Sequence, residues 1–281
     1  MPELPEVETI RRGLAEKLVG HQITAVTVRQ PKLLIGDSKA LIGQKVVEMG
    51  RRAKILIWKL ADCYLLTHLK MTGQLIFQPD RGQLVIGGHP DKAYGENLPH
   101  QHSHVIITFD NGILFFNDLR KFGWMKIVET LSELKGEISH LGPEYTWPEF
   151  TLKYFQAGLA KRRITIKQAL LDQTFIAGIG NIYADESLFC AQINPKRKSN
   201  ELTDIEAKKL FASIPKILNL ALRHGGSSSR DYRQADGSLG TYLQVALVYK
   251  LEGQPCKVCG QPIERSKIAG RSTHFCPKCQ S

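Results

Sequence analysis

Met1-Pro2-Glu3-Leu4-Pro5-Glu6-Val7-Glu8-Thr9-Ile10-Arg11-Arg12-Gly13-Leu14 opens the chain. Pro5 stands where a first helical turn needs no N–H, and the glutamates beside it suit the positive end of a helix dipole. Val7, Ile10, Leu14 and Leu18 recur at helical spacing as far as Gly20, so residues 5–20 read as one amphipathic helix. Beyond it the pattern turns to strands. Ile23–Arg29, Lys45–Glu48, Ile55–Leu60 and Tyr64–His68 are β-branched or aromatic runs, and His104–Thr108 joins Ile113–Phe116 across Asp110-Asn111-Gly112. Around Leu141-Gly142-Pro143-Glu144 the pattern changes, and beyond Pro148 the periodicity becomes helical. The longest segment starts at Thr203 with a capping box to Glu206, buries Leu210, Ile214, Ile217, Leu218 and Ala221, carries a kinking Pro215, and stops at His224-Gly225-Gly226.

The expected fold is therefore α+β. Residues 1–135 form a β-sandwich domain behind an N-terminal helix, 136–149 a linker, 150–226 a helical domain, 227–246 a polar loop and connection, and 247–281 a metal-binding hairpin. The 281 residues suffice for two domains with cores of their own. Of the formal net charge of +11, +8 falls in residues 141–281, which provides the counterion-releasing surface that nucleic acid requires. No apolar stretch approaches the ~20 residues of a membrane span, and the acidic N-terminus is unlike a targeting peptide, so a cytoplasmic chain without membrane contact is expected.

Cys256, Cys259, Cys276 and Cys279 make a C-x2-C-x16-C-x2-C pattern, whereas Cys63 and Cys190 stand alone. In a reducing compartment paired knuckles point to metal, and four thiolates complete the closed shell of one structural Zn2+. Arg265, Lys267 and Arg271 lie between the knuckles, where they can face phosphates.

Pro2 and Glu3 form the other unusual pair. Removal of Met1, usual before a small second residue, exposes a secondary amine next to a carboxylate. An α-amino group titrates near ~8, so an appreciable fraction is an uncharged nucleophile at neutral pH. Its attack on a sugar C1′ gives an iminium with no N–H to lose, which remains cationic and serves as an electron sink for expelling the phosphates.

MPELPEVETIRRGL, Arg51-Arg52-Ala53-Lys54, His68-Leu69-Lys70-Met71-Thr72-Gly73, Asp118–Gly123, Ala177–Glu186 and the cysteine pairs together resemble the bacterial-type formamidopyrimidine-DNA glycosylase family over essentially the whole chain. The resemblance implies a monomeric enzyme of base excision repair that is both DNA glycosylase and AP lyase, acting on double-stranded DNA with oxidised purines or abasic sites. It makes the helical domain a helix-two-turn-helix domain. By the same resemblance Pro2 is the Schiff-base nucleophile, Glu3 the acid assisting sugar opening and base loss, Lys54 the phosphate-contacting proton donor of the first elimination, and Arg271 the phosphate clamp assigned to the second. His68, His102, Arg120, Arg162 and Asn181 are the implied DNA contacts. Met71, Arg120 and Phe122 fill the gap left by an everted base, with Arg120 facing the widowed cytosine. Ser227–Tyr242 corresponds to a lesion-capping loop with Arg230 and Tyr232 as candidates. Lys70 stands where many members have glycine, and Leu119-Arg120-Lys121 replaces Pro-Arg-Arg, which bears on opposite-base preference and salt dependence.

Two alternatives stay open at this point. The sister endonuclease VIII group shares Pro2 and Glu3 but begins Pro-Glu-Gly-Pro-Glu, where this chain has Leu4. A non-catalytic zinc-ribbon protein that senses damage would account for the charge and the cysteines alone.

Overall fold

The computed structural model describes residues 1–88, 97–227 and 240–281. Two compact units make up the chain: Met1–Ser139 with His224–Thr241, and His140–Arg223 with Tyr242–Ser281.

The first unit begins with helix α1 (Leu4–Leu18). Among the described residues ten strands follow, β1 (Ile23–Val28), β2 (Leu34–Ile35), β3 (Val46–Arg52), β4 (Ile55–Leu60), β5 (Tyr64–His68), β6 (Gly73–Pro79), β7 (Val85–Gly88), β8 (Ser103–Phe109), β9 (Gly112–Asp118) and β10 (Trp124–Val128), and then helix α2 (Leu131–Ile138). They pair into two five-stranded sheets, ordered β1-β8-β9-β6-β7 and β2-β10-β5-β4-β3. One apolar cluster draws Leu14 and Leu18 from α1, Leu75, Phe77 and Phe116 from one sheet, and Trp58, Leu65 and Met125 from the other. A shared core between two sheets is a sandwich. Each fully buried side chain of this kind contributes roughly 1.5–3 kcal/mol. Tertiary packing of this sort, more than helix propensity, fixes α1 and the residues at its start.

The second unit contains α3 (Leu152–Ala160), α4 (Ile166–Leu171), α5 (Asn181–Ala191), α6 (Asp204–Arg223) and α7 (Tyr242–Val245), with a hairpin of β11 (Glu264–Ile268) and β12 (Arg271–Phe275). The Thr151 and Thr165 hydroxyls cap α3 and α4 by accepting from Tyr154 N and Gln168 N. Ahead of α6, Thr203 and Glu206 exchange the reciprocal bonds of a capping box. Leu210, Ile214, Ile217, Leu218 and Ala221 are its buried face, and the helix runs through Pro215 to Arg223. Among the described residues no helix is long and apolar enough to cross a membrane.

Candidate active site and nucleic-acid interface

Pro2 and Glu3 are both buried at the start of α1. Glu3 is the N-cap, in extended conformation, and its backbone N–H donates to Glu6 Oε2 at 2.8 Å. The other Glu6 oxygen accepts from Ser227 N at 2.7 Å. One carboxylate thus ties the helix start to the segment after Gly226. Arg230 and Tyr232, the candidates in the loop that follows, lie outside the described residues.

One turn further along α1, Glu8 accepts from Arg11 at 2.8 Å, Arg12 at 2.9 Å and Arg51 at 3.1 Å. Burial by itself would raise the Glu8 carboxyl, but the Arg11 and Arg12 hydrogen bonds and the Arg11 and Arg51 charges outweigh it and hold it at about 2. Arg51 passes the order on, since its Nη1 donates to Ala53 O at 2.9 Å. Ala53 takes a left-handed φ of 52° in the two-residue turn between β3 and β4. Lys54 completes that turn and is only 5% exposed.

Two further turns of the first unit carry the other expected DNA contacts. His68 ends β5, its Nδ1 accepts from Lys70 N at 2.9 Å, and its ring lies 5.8 Å from that of Trp124. Burial, helped by the Lys70 and Lys54 cations, pulls its pKa down to about 3. The ring is neutral at neutral pH, and with Nδ1 accepting, its proton sits on Nε2 as a donor. Met71 is half-buried in the turn closed by Gly73 N to Leu69 O at 2.8 Å. A Cβ on Gly73 would meet that carbonyl oxygen at 2.3 Å, so the turn requires glycine.

Opposite it, Arg120 is exposed and Phe122 is 54% exposed, with the Arg120 guanidinium 4.7 Å from the Phe122 ring centroid. Phe122 is therefore a surface side chain and not part of the core. Both turns rest on Asp118, which is fully buried and accepts from Thr72 Oγ1, Arg120 N (3.1 Å) and Gly123 N (2.6 Å). His102, half-buried, lies beside His100 and His104, and its carbonyl accepts from Asp118 N at 3.0 Å.

In the second unit Arg271 is exposed at the start of β12, after a turn in which Ala269 and Gly270 both have positive φ. Its neighbour Ser272 is held from below, because the Ser272 carbonyl accepts from Lys167 Nζ at 3.0 Å and from Asn181 Nδ2 at 2.9 Å. Lys167 and Asp185 form a fully buried ion pair at 2.6 Å, and the second Asp185 oxygen accepts from His274 N at 3.0 Å. Asn181, the first residue of α5, thus serves the hairpin with its side chain. Glu186 beside it accepts from Tyr242 Oη and from the N–H groups of Leu247, Val248 and Tyr249. Burial raises its pKa, and these four bonds offset part of the rise. Arg162 donates to Gly158 O and to Asp172 at 3.2 Å and stacks over Phe175, 4.2 Å from the ring centroid.

The Sγ atoms of Cys256, Cys259, Cys276 and Cys279 all lie within 4.8 Å of one another, with Cys256 to Cys279 at 3.9 Å and Cys259 to Cys276 at 3.5 Å. A tetrahedral zinc with ~2.3 Å metal–sulfur bonds separates its sulfurs by about 3.8 Å, so the four thiols fit one structural zinc ion and leave no position for water.

Motif reading passed through Glu8, Thr72, Asp118, Asp185 and Glu186 without giving them a role, and left out Lys167 altogether. Only for Glu8 did the sequence also point to its partners, through the spacing of three and four residues to Arg11 and Arg12.

The sandwich carries a buried proline–glutamate pair at the start of its helix, and the helical unit ends in a ribbon whose four thiols fit one zinc ion. Three families match in order along the chain: the formamidopyrimidine-DNA glycosylase N-terminal domain over residues 1–125, the H2TH domain of the same enzymes over 141–233, and the zinc finger found in FPG and IleRS over 253–281. The formamidopyrimidine-DNA glycosylase of Listeria innocua is 39% identical, with all of both chains covered. Lactococcus lactis Fpg, solved with abasic-site DNA, superposes with a TM-score of 0.88 at 35% identity over 99% of each chain. A variant of that enzyme solved with Fapy-dG DNA does so with a TM-score of 0.88 at 36% identity over the full length of both. The chain belongs to the formamidopyrimidine-DNA glycosylase family.

Proposed function

We propose that this chain is a bifunctional glycosylase and AP lyase that removes 8-oxoguanine and formamidopyrimidines from double-stranded DNA. The observation that supports it best is the path from Glu8 through Arg51 to the Ala53 carbonyl, which ties the helix carrying Pro2 and Glu3 to the turn carrying Lys54. The abasic-site and Fapy-dG duplexes bound by the Lactococcus enzyme supply the substrate class.

Once Met1 is removed, the Pro2 nitrogen bonds to C1′ of the damaged nucleotide as the bond from C1′ to the base breaks. The amine gives up its proton, and Glu3 assists sugar opening and the departure of the protonated base. Ring opening gives the iminium, which acidifies C2′; its proton passes to water as the C3′–O bond breaks, and Lys54 donates a proton to the departing 3′ phosphate. A second elimination takes the C4′ proton to water and expels the 5′ phosphate, with Arg271 clamping the flanking phosphates, and water then hydrolyses the iminium to free Pro2. A permanent guanidinium suits the clamp better than the proton transfer. His68, His102 and Arg162 contact the DNA, the turn at Asn181 presents its backbone amides to phosphate, and Met71, Arg120 and Phe122 occupy the space left by the everted base.

Borohydride trapping on a duplex with 8-oxoguanine opposite cytosine, followed by mass spectrometry of the adduct terminus, tests this. An adduct on Pro2 is expected. If protein shown to lack Met1 forms none even on an abasic-site duplex, the chain is a damage sensor.

A further inference from the structure

Asp118 stands out among the buried charges because it supports two surface turns and no catalytic group. Its side chain is fully buried at the end of β9, opposite Gly73 at the start of β6. One carboxylate oxygen accepts from the Thr72 hydroxyl and from Arg120 N, and the other accepts from Gly123 N at 2.6 Å. Arg120 N is shared, since it also points at Thr72 Oγ1 at 3.1 Å. A buried carboxylate without such donors would carry a large desolvation cost, so the turns are held in the geometry that supplies them. The packing leaves little slack, as a Cβ on Gly123 would lie 2.8 Å from the Phe116 ring and 3.0 Å from Asp118 itself.

We propose that Asp118, acting with the Thr72 hydroxyl, is the positioning residue that locks the Met71 turn to the Arg120–Phe122 turn, so that the three side chains enter DNA as one rigid wedge and opposite-base selectivity depends on the lock. This rests on the reading of Met71, Arg120 and Phe122 as the gap-filling side chains. Neither Asp118 nor Thr72 touches DNA in this account. They act by denying Arg120 the freedom to reach adenine as readily as cytosine.

The test compares D118N, T72V and T72S with R120A. Single-turnover excision of 8-oxoguanine is measured opposite cytosine and opposite adenine, and strand cutting is measured on a single-stranded abasic oligonucleotide. D118N replaces an acceptor by a donor, and T72V removes the hydroxyl at constant shape. Both are expected to slow excision opposite cytosine about tenfold and to shrink the cytosine-to-adenine ratio, with a smaller change on the single strand. T72S restores the hydroxyl and with it the ratio. A merely structural role would lower all rates alike and leave the ratio fixed, and that result overturns the proposal. If D118N fails to fold, T72V carries the same decision. Loss of the ratio in R120A with wild-type selectivity in folded T72V refutes the lock but keeps the wedge; a wild-type ratio in R120A refutes the wedge and the lock with it.

Discussion

The two units hold the cations proposed for the eliminations by different means. In the first, Lys54 is buried on a turn whose shape is set by Arg51, Glu8 and a large sandwich core. In the second, Arg271 is exposed on a hairpin of two five-residue strands whose own apolar cluster is small, with Phe189, Val248 and Ile263 beside Cys256 and Cys276. For the proton donor proposed at Lys54, burial on a rigid turn fixes the direction of the ammonium. A permanent guanidinium that grips phosphate needs only a rigid base. So small a core does not supply that rigidity, and a metal and one buried ion pair supply it instead.

If this contrast is right, removing zinc strikes one region only. Structural sites of this type carry about 10 kcal/mol or more of folding free energy. Chelation should abolish amide-exchange protection across residues 253–281, leave β3 to β5 protected, and weaken binding to damaged duplex. A hairpin that stays protected without metal, or normal DNA affinity after chelation, breaks the contrast.

Next in size is the loss of Glu3. E3Q keeps the shape of the N-cap but removes the acid, so base release should fall about a thousandfold, close to 4 kcal/mol of barrier, while binding to an 8-oxoguanine duplex persists. Intact turnover in E3Q would refute the assigned role.

A third comparison concerns the buried Lys167–Asp185 pair. Removing one partner leaves an uncompensated charge, so K167M or D185N should each cost about 3–5 kcal/mol in denaturant unfolding, and replacing both with apolar side chains should recover much of it. Because Lys167 also holds the Ser272 carbonyl, the single variants should weaken DNA binding as well. Full DNA affinity in a folded single variant would detach Arg271 from this support.

These supports were the part of the molecule least visible in the sequence. α1 was legible from Pro5, its apolar spacing and Gly20, and Leu4–Leu18 departs from the expected 5–20 only at its ends. β3 was read as Lys45–Glu48 but continues to Arg52. Gly50-Arg51-Arg52 has no β-forming side chains, and the strand persists because Arg51 is paired with Leu56 and held by Glu8. The cysteine ligands announce themselves by spacing, and Pro2 and Glu3 by their place at the terminus. Glu8 with Arg51, Thr72 with Asp118 and Lys167 with Asp185 are separated by 43, 46 and 18 residues, and only the packed sheets and helices bring them together.

The smallest expected effect separates a buried neutral imidazole from a paired carboxylate within the first unit by pH. His68 is held near a pKa of about 3 against an ordinary value of 6.5, so above pH 6.5 both folded and unfolded chains carry it neutral. Below 6.5 the unfolded chain takes up a proton that the folded chain refuses, and stability falls by about 1.4 kcal/mol per pH unit as pH drops toward 3. Glu8 is displaced the other way relative to its charge, at about 2 against 4.5. Its contribution is whole above pH 4.5 and is lost only as pH falls from there toward 2. Between pH 6.5 and 5, then, the unfolded chain protonates His68 while Glu8 keeps its charge in both states, and H68Q should remove about 2 kcal/mol of the stability lost by the parent over that interval. E8Q should be destabilised by the same amount at both pH values and approach the parent only below 4.5. Chemical denaturation of the two variants at pH 7, 5 and 4 measures this, and an H68Q whose acid loss matches the parent's would mean that the His68 ring is solvated and takes up its proton in the folded state.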